Sequence, residues 1–240
     1  MSSRQLTFVL VHGAWHGGWC YARVVERLHR AARRVFTPTL SGLGDRSHLF
    51  SRKIRLTTHV SDVVNLIRWE QLKRVVLVGH SYGGMVITGV ADQVPESIAS
   101  LVYLDAFLPQ DGQCLHDLIS VDAAKAQVAS AVRGGIPPIP ASLLNVNEAD
   151  RAWVDTLCTP QPLGTFVQPL RLTRALNQVG ARAYVLATGN LPGAGFHRFR
   201  DPLRTDALWT THELPGGHDV MIDSPEQLAR ILIDCGETAQ

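Results

Sequence analysis

Five residues, Gly79-His80-Ser81-Tyr82-Gly83, carry the strongest chemical signal in the chain. They match G-x-S-x-G, they follow the apolar run Val75–Val78, and a helix-compatible stretch with Gly84 and Gly89 comes after them. That strand–turn–helix context is the one in which a serine is presented as a nucleophile. Small flanking residues let the chain turn sharply. Ser81 then sits at the carboxyl end of a strand and the N-terminus of a helix, where developing negative charge is favoured. The alternative reading is a tight structural turn without chemistry. A serine hydroxyl is a weak nucleophile and needs a base. For a serine of this kind the base comes late in the chain, after the last strand. Of the ten histidines, His218 fits, because it follows Glu213-Leu214-Pro215-Gly216-Gly217 and precedes a capped helix. His212 falls inside a strand and His197 in an earlier loop, so both read as surface or packing residues. His80 reads as structural, pointing away from the nucleophile.

Attack on a carbonyl places negative charge on its oxygen, which two aimed backbone N–H groups stabilise. One comes from Tyr82, the residue after the nucleophile. The other comes from the loop after the first strand, His12-Gly13-Ala14-Trp15-His16-Gly17-Gly18-Trp19, and is assigned to Ala14. Gly13, Trp15, Phe107 and Trp153 are the candidate substrate-binding residues, with Trp19 and Phe166 as further aromatic candidates for an apolar pocket. Each aromatic taken singly also reads as core packing. His12 and His16 have H-x-x-x-H spacing, but they lie on a loop with no evident third ligand. Neither a metal nor a cofactor is expected. No arginine clamp for a carboxylate is evident, and Arg46 reads as solvated.

The elements that must hold these residues follow from periodicity. Leu6–Val11, Val35–Thr39, Val75–Val78, Leu101–Leu104, Tyr184–Ala187 and Thr211–Leu214 read as strands, several of them continuously apolar, as in a buried parallel sheet. Tyr21–Arg33 reads as a helix. Val60, Val63, Val64 and Ile67 mark one buried helix face by their i, i+3, i+4, i+7 spacing. A last helix begins at Ser224-Pro225-Glu226-Gln227, with a cap serine, a proline at the first helical position and a glutamine three residues after the cap. The alternation predicts an α/β fold, a mostly parallel sheet with helices on both faces. Residues 107–180 break the rhythm and are cut by prolines. They read as a helical cap inserted into one domain spanning 1–240, not as an independent unit.

Composition excludes several classes. The 240 residues are 45% hydrophobic and 18% charged, unlike a disordered chain. The net charge of +2 is too small to argue for nucleic acid or an anionic membrane. The basic run His29–Arg34 reads as a solvated helix end. No apolar run reaches the ~20 residues of a membrane span, and the polar N-terminus shows no secretory signal. Cys20, Cys114, Cys158 and Cys235 form no C-x-x-C pair, which favours reduced thiols in the cytoplasm. The expected partner is a small-molecule ester. A homodimer is compatible with the sequence, because an exposed helix face and a dimer face look alike.

Taken together, Val9-Leu10-Val11-His12-Gly13-Ala14-Trp15-His16-Gly17-Gly18-Trp19, Leu40-Ser41-Gly42-Leu43-Gly44, Gly79-His80-Ser81-Tyr82-Gly83-Gly84 and Gly216-Gly217-His218 resemble the α/β-hydrolase superfamily. The resemblance is to the branch of plant methyl-salicylate-type esterases, hydroxynitrile lyases and bacterial small esterases, and it spans nearly the whole chain. It implies a serine esterase acting on small apolar or aromatic esters. In that branch the lyases carry a bulkier residue at the position of Gly13 and a lysine at that of Asp219, so both positions favour the esterase. Ser81 stands where haloalkane dehalogenases have an aspartate. The esterases place the triad acid after the fifth core strand in a pattern like Y-V-x-x-T-x-D. Here that stretch is Tyr184-Val185-Leu186-Ala187-Thr188-Gly189-Asn190. Some α/β-hydrolases instead carry the acid one strand earlier, where this chain has Asp105. A carboxylate at the end of an apolar strand is costly unless paired, so Asp105 is the expected acid and His218 its expected partner. Asn190 as a neutral orienter, Asp201, Asp206 or no acid at all remain alternatives. A lyase or cyclase of secondary metabolism, or a receptor with a vestigial triad, are the competing readings of the same scaffold.

Overall fold

The computed structural model of the protein describes residues 6–31, 33–189 and 195–239. In chain order the strands are β1 (Thr7–Val11), β2 (Arg34–Phe36), β3 (Val75–His80), β4 (Ile98–Leu104), β5 (Gly135–Ile136), β6 (Gln161–Pro162), β7 (Ala181–Ala187) and β8 (Trp209–Leu214). The helices are α1 (Ala22–Arg30), α2 (Leu56–Trp69), α3 (Gly83–Gln93), α4 (Val121–Ser130), α5 (Arg151–Leu157), α6 (Gly164–Val167), α7 (His197–Arg200), α8 (Val220–Asp223) and α9 (Pro225–Glu237). Six strands form one sheet in the order β2-β1-β3-β4-β7-β8, and every pairing in it is parallel.

Alternation along the central strands divides the core in two. Val9 and Val11 face one side with Val60, Val63, Val64 and Ile67 of α2 and most of α3. Phe8 and Leu10 face the other with Val24 and Leu28 of α1 and Leu228 and Leu232 of α9. A sheet covered on both faces needs strands that are apolar on both faces, which is why these segments read as continuous hydrophobic runs. The chain leaves β1 towards the β2 edge and returns across it to β3. The strand order therefore reverses between β1 and β3, and a crevice opens at their carboxyl ends. The His12–Trp19 loop and the turn at Ser81 both emerge there.

Several boundaries differ from the sequence expectation. The second strand is confined to Arg34–Phe36, because Thr37 and Thr39 turn to the loops, Thr39 Oγ1 accepting the Gly18 N–H at 3.0 Å. The first helix starts only at Ala22, preceded by a 3₁₀ turn over Gly18–Tyr21. Ser224 does not cap α9 through its side chain; its hydroxyl donates instead to Pro215 O at 2.5 Å. Arg46 is not simply solvated: it is half-buried, donates to Thr39 O and Ser41 Oγ, and lies 3.6 Å from Asp62.

Between β4 and β7 the chain makes a long excursion of short elements. Leu115, Leu118, Ile136 and Phe166 from it join the α2/α3 side of the core. Ala141, Leu144, Val146 and Val154 join the other side. Among the described residues no helix is long and apolar enough to cross a membrane.

Candidate active site

Ser81 ends the turn from β3 into α3 with φ of +52°, a left-handed conformation that costs an L-residue energy and persists only where the surroundings hold it. What holds it is backbone: Ser81 N–H donates to Leu104 O at 3.2 Å, and Ser81 O accepts from Gly84 N and Phe107 N. The turn closes only because Gly79 lacks a side chain, since a Cβ there would lie 2.5 Å from Gly83 O. Trp15 and Asp105 also have positive φ, 66° and 43°. Strained non-glycine backbone from three separate loops thus converges on one place.

Asp105 follows β4 directly and is fully buried. Its N–H donates to Val185 O at 2.7 Å, which anchors it to the neighbouring strand. Its Oδ1 accepts the Ala187 N–H at 3.2 Å, and its Oδ2 accepts from His218 Nδ1 at 2.7 Å. The Tyr184 hydroxyl brackets the next residue, accepting from Ala106 N and donating to Ala106 O. His218 is 8% exposed. Its N–H donates to Leu144 O at 2.9 Å, and Phe196 stacks on its ring at 5.1 Å between centroids. With Nδ1–H committed to Asp105, Nε2 is the nitrogen left to act as a base. Asn190, the other candidate orienter, lies outside the described residues.

The first loop is organised by two histidines. His12 Nε2 accepts the Leu40 N–H at 3.0 Å, so Nδ1 carries the proton and donates to Gly13 O at 2.8 Å. A peptide group points its N–H opposite its C=O, so this bond fixes the direction of the Ala14 N–H. Burial pushes the His12 imidazole down to about 3, and it stays neutral. Trp15 N–H donates to Gln161 Oε1 at 3.0 Å and the Trp15 indole to Ile136 O at 3.1 Å. Gly13 brings the loop onto the elbow, and a Cβ there would lie 2.8 Å from His80 Nδ1 and 3.1 Å from Ser81 Cβ.

Ala14, Trp15, Ser81, Tyr82, Phe107 and His218 share the lining of one cavity of about 390 Å³, with Phe166, Phe196 and Ile119 among its other walls. Two proposed substrate contacts are not in that lining. Trp153 packs edge-on against Trp19 with centroids 5.0 Å apart, under the Arg23 guanidinium. Gly13 is absent from the lining and packs against His80 and Ser81. Trp19 stacks on His16 at 5.2 Å and is likewise outside the cavity. His80 is structural, but it touches the site: its Nε2–H donates to His218 O at 2.9 Å. Both candidate metal histidines have protein partners, and among the described residues no group of three or more ligating side chains could hold a metal.

Sequence reasoning missed Gln161, Phe196 and Arg198. Gln161 and Phe196 sit in segments with no motif, and only folding brings them to the site. Arg198 lies at the cavity wall, although no arginine clamp is evident in the sequence.

The comparisons with known proteins bear on the family and the fold. A family model described as the alpha/beta hydrolase family matches residues 8–231. The carbendazim hydrolyzing esterase of Nocardioides sp. (strain SG-4G) is 45% identical over 241 residues, covering 95% of this chain and 99% of that protein. Methylesterase 1 of Arabidopsis thaliana is 32% identical over 117 residues, 44% of this chain and 41% of its own length. Among solved structures, an extracellular alpha/beta-hydrolase from a Paenibacillus species superposes with a TM-score of 0.85 at 26% identity, over 96% of this chain and 99% of that one. It is described as sharing structural and functional homology with tobacco salicylic acid binding protein 2. The chain belongs to the alpha/beta hydrolase family, among its esterases.

Proposed function

We propose that the protein hydrolyses small carboxylic esters with an apolar or aromatic acyl part through an acyl-enzyme on Ser81. The observation that carries this reading is the Asp105–His218 hydrogen bond of 2.7 Å beside a cavity that His218 and Ser81 both line. His218 Nε2 takes the Ser81 proton as Oγ attacks the ester carbonyl. Asp105 keeps the imidazole in the productive tautomer and stabilises the imidazolium that forms. The Ala14 and Tyr82 N–H groups hold the oxyanion. The alcohol leaves with the proton from His218, and water activated by the same base releases the acid.

The walls supplied by Trp15, Phe107, Phe166 and Phe196 suit a flat, uncharged acyl group. Residues 107–180 act as the cap over this cavity. Carbendazim, for which the Nocardioides relative is named, and methyl esters of aromatic acids form the first substrate panel. Four free thiols, Cys20, Cys114, Cys158 and Cys235, support a reducing, cytoplasmic setting.

Intact mass after incubation with a small fluorophosphonate tests the nucleophile. One adduct on the wild type and none on Ser81→Ala is expected, with ester turnover abolished in the variant. No adduct on folded wild type would overturn the reading.

A further inference from the structure

Directly behind the reacting groups lies a charge pair that the proposed chemistry does not use. His16 and Asp219 are 2% and 0% exposed and meet through Nε2 and Oδ2 at 3.0 Å. The other ring nitrogen of His16 donates to Ala14 O at 2.7 Å. Both partners are acceptors, so both ring nitrogens need protons and the imidazole is a cation. The indole of Trp19 stacks on it with an interplanar angle of 24°, a contact that favours a positive ring. Burial alone would push His16 down, but the Asp219 carboxylate raises it well above its ordinary value.

The pair joins two loops that must be placed to a fraction of an ångström. Asp219 is the residue after His218, and His16 grips the peptide after Ala14. The route Asp219–His16–Ala14 therefore links the carrier of the general base to the carrier of an oxyanion donor. His80 completes the link from below, donating to His218 O with its Nε2 3.8 Å from Asp219 Oδ1. Among the described residues Asp219 Oδ1 has no hydrogen-bond partner, so His16 is the group that neutralises this carboxylate. A buried ion pair adds little to stability over an apolar pair of similar shape. What it does supply is direction, since its partners tolerate few other arrangements.

We propose that His16 and Asp219 are positioning residues, a buried clamp that sets the oxyanion loop against the His218 loop. The proposal rests on the Ser81 mechanism above. Its test compares wild type, Asp219→Ala, Asp219→Asn, His16→Gln and Ser81→Ala by steady-state kinetics on a p-nitrophenyl ester, and by the rate of fluorophosphonate labelling at 25 °C. Asparagine can donate an amide N–H to a neutral His16, which leaves Nδ1–H on Ala14 O, so the link survives without charge.

Deleting an oxyanion donor outright costs about 10²–10³ in kcat, and a displaced donor costs less, so Asp219→Ala should lose about 10- to 100-fold. KM should stay within about threefold, labelling should slow in parallel, and Asp219→Asn should recover to within about threefold of wild type. His16→Gln carries both its N–H donors on one nitrogen and cannot span acceptors that face separate ring nitrogens of His16, so it should fall with Asp219→Ala. A purely structural pair would lower the melting temperature and leave kcat intact well below it. Folded Asp219→Ala with wild-type kcat overturns the clamp, as does Asp219→Asn as slow as Asp219→Ala. If Asp219→Ala does not fold, His16→Gln decides, and wild-type kcat there overturns it equally. Wild-type turnover by Ser81→Ala would instead remove the underlying mechanism, so the two failures are separable.

Discussion

In the proposed mechanism Asp105 is the acid that orients His218, one strand earlier than the pattern of its branch. Among the described residues its N–H bonds Val185 O, its Oδ1 the Ala187 N–H and its Oδ2 His218 Nδ1. Asparagine at this position keeps the shape but offers an amide N–H where the imidazole also presents one. The ring would then reverse its tautomer and leave Nε2 protonated and unable to accept from Ser81. Asp105→Asn should therefore fold normally and lose about 10³–10⁴ in kcat. Circular dichroism together with turnover of an activated ester checks this, and a variant within tenfold of wild type would remove Asp105 from the triad.

At the scale of elements, the site depends on how closely the loop after β1 lies on the elbow after β3. Gly13 sets that approach. A methyl group there meets His80 Nδ1 at 2.8 Å and Ser81 Cβ at 3.1 Å, and His80 cannot retreat because it is buried and bonded to His218 O. The loop must lift instead, carrying the Ala14 N–H with it. Misplacement by about 1 Å can cost about 100-fold, so Gly13→Ala should lose at least tenfold in kcat with little change in KM. Turnover against substrate concentration measures both. Local motifs made much of this legible in the sequence. The elbow, the late histidine and the apolar strands are each written within a few residues, whereas Asp105 is reached through the family resemblance, supported by the cost of an unpaired carboxylate. The Gln161 bond to Trp15, the Phe196 stack on His218 and the removal of Trp153 from the cavity are set by packing between distant segments. No local periodicity encodes them, and an aromatic near a motif looks the same whether it lines a cavity or props the loop behind it.

Across the whole molecule, the sheet and the excursion between β4 and β7 divide the work. The reversal of strand order between β1 and β3 fixes where Ser81, Asp105, His218 and the Ala14 loop meet, and the two-sided core makes that frame rigid. The excursion contributes Leu115, Ile119, Ser120, Ala123, Gln127, Ile139, Leu144 and Phe166 to the cavity lining. The groups assigned to bond making and breaking come from the frame and its connecting loops. Substrate range and chemistry should therefore separate under mutation. Ile119 is half-buried and lines the cavity, without a part in the Ser81, Asp105 or His218 hydrogen bonds. Ile119→Ala removes three carbons from one wall, a loss worth about 2 kcal/mol of apolar contact for a substrate that filled the space. The variant should lose kcat/KM about thirtyfold on acyl groups that reach this wall. Acyl groups two or three carbons longer should gain, because the enlarged space admits them. Its rate of labelling by a small fluorophosphonate should stay within about twofold of wild type, since that reagent needs only the frame. A p-nitrophenyl ester series from acetate to decanoate, run on both proteins, reads the separation directly. A uniform loss across the series together with slowed labelling would mean that the excursion holds the reacting groups in place as well as shaping the pocket.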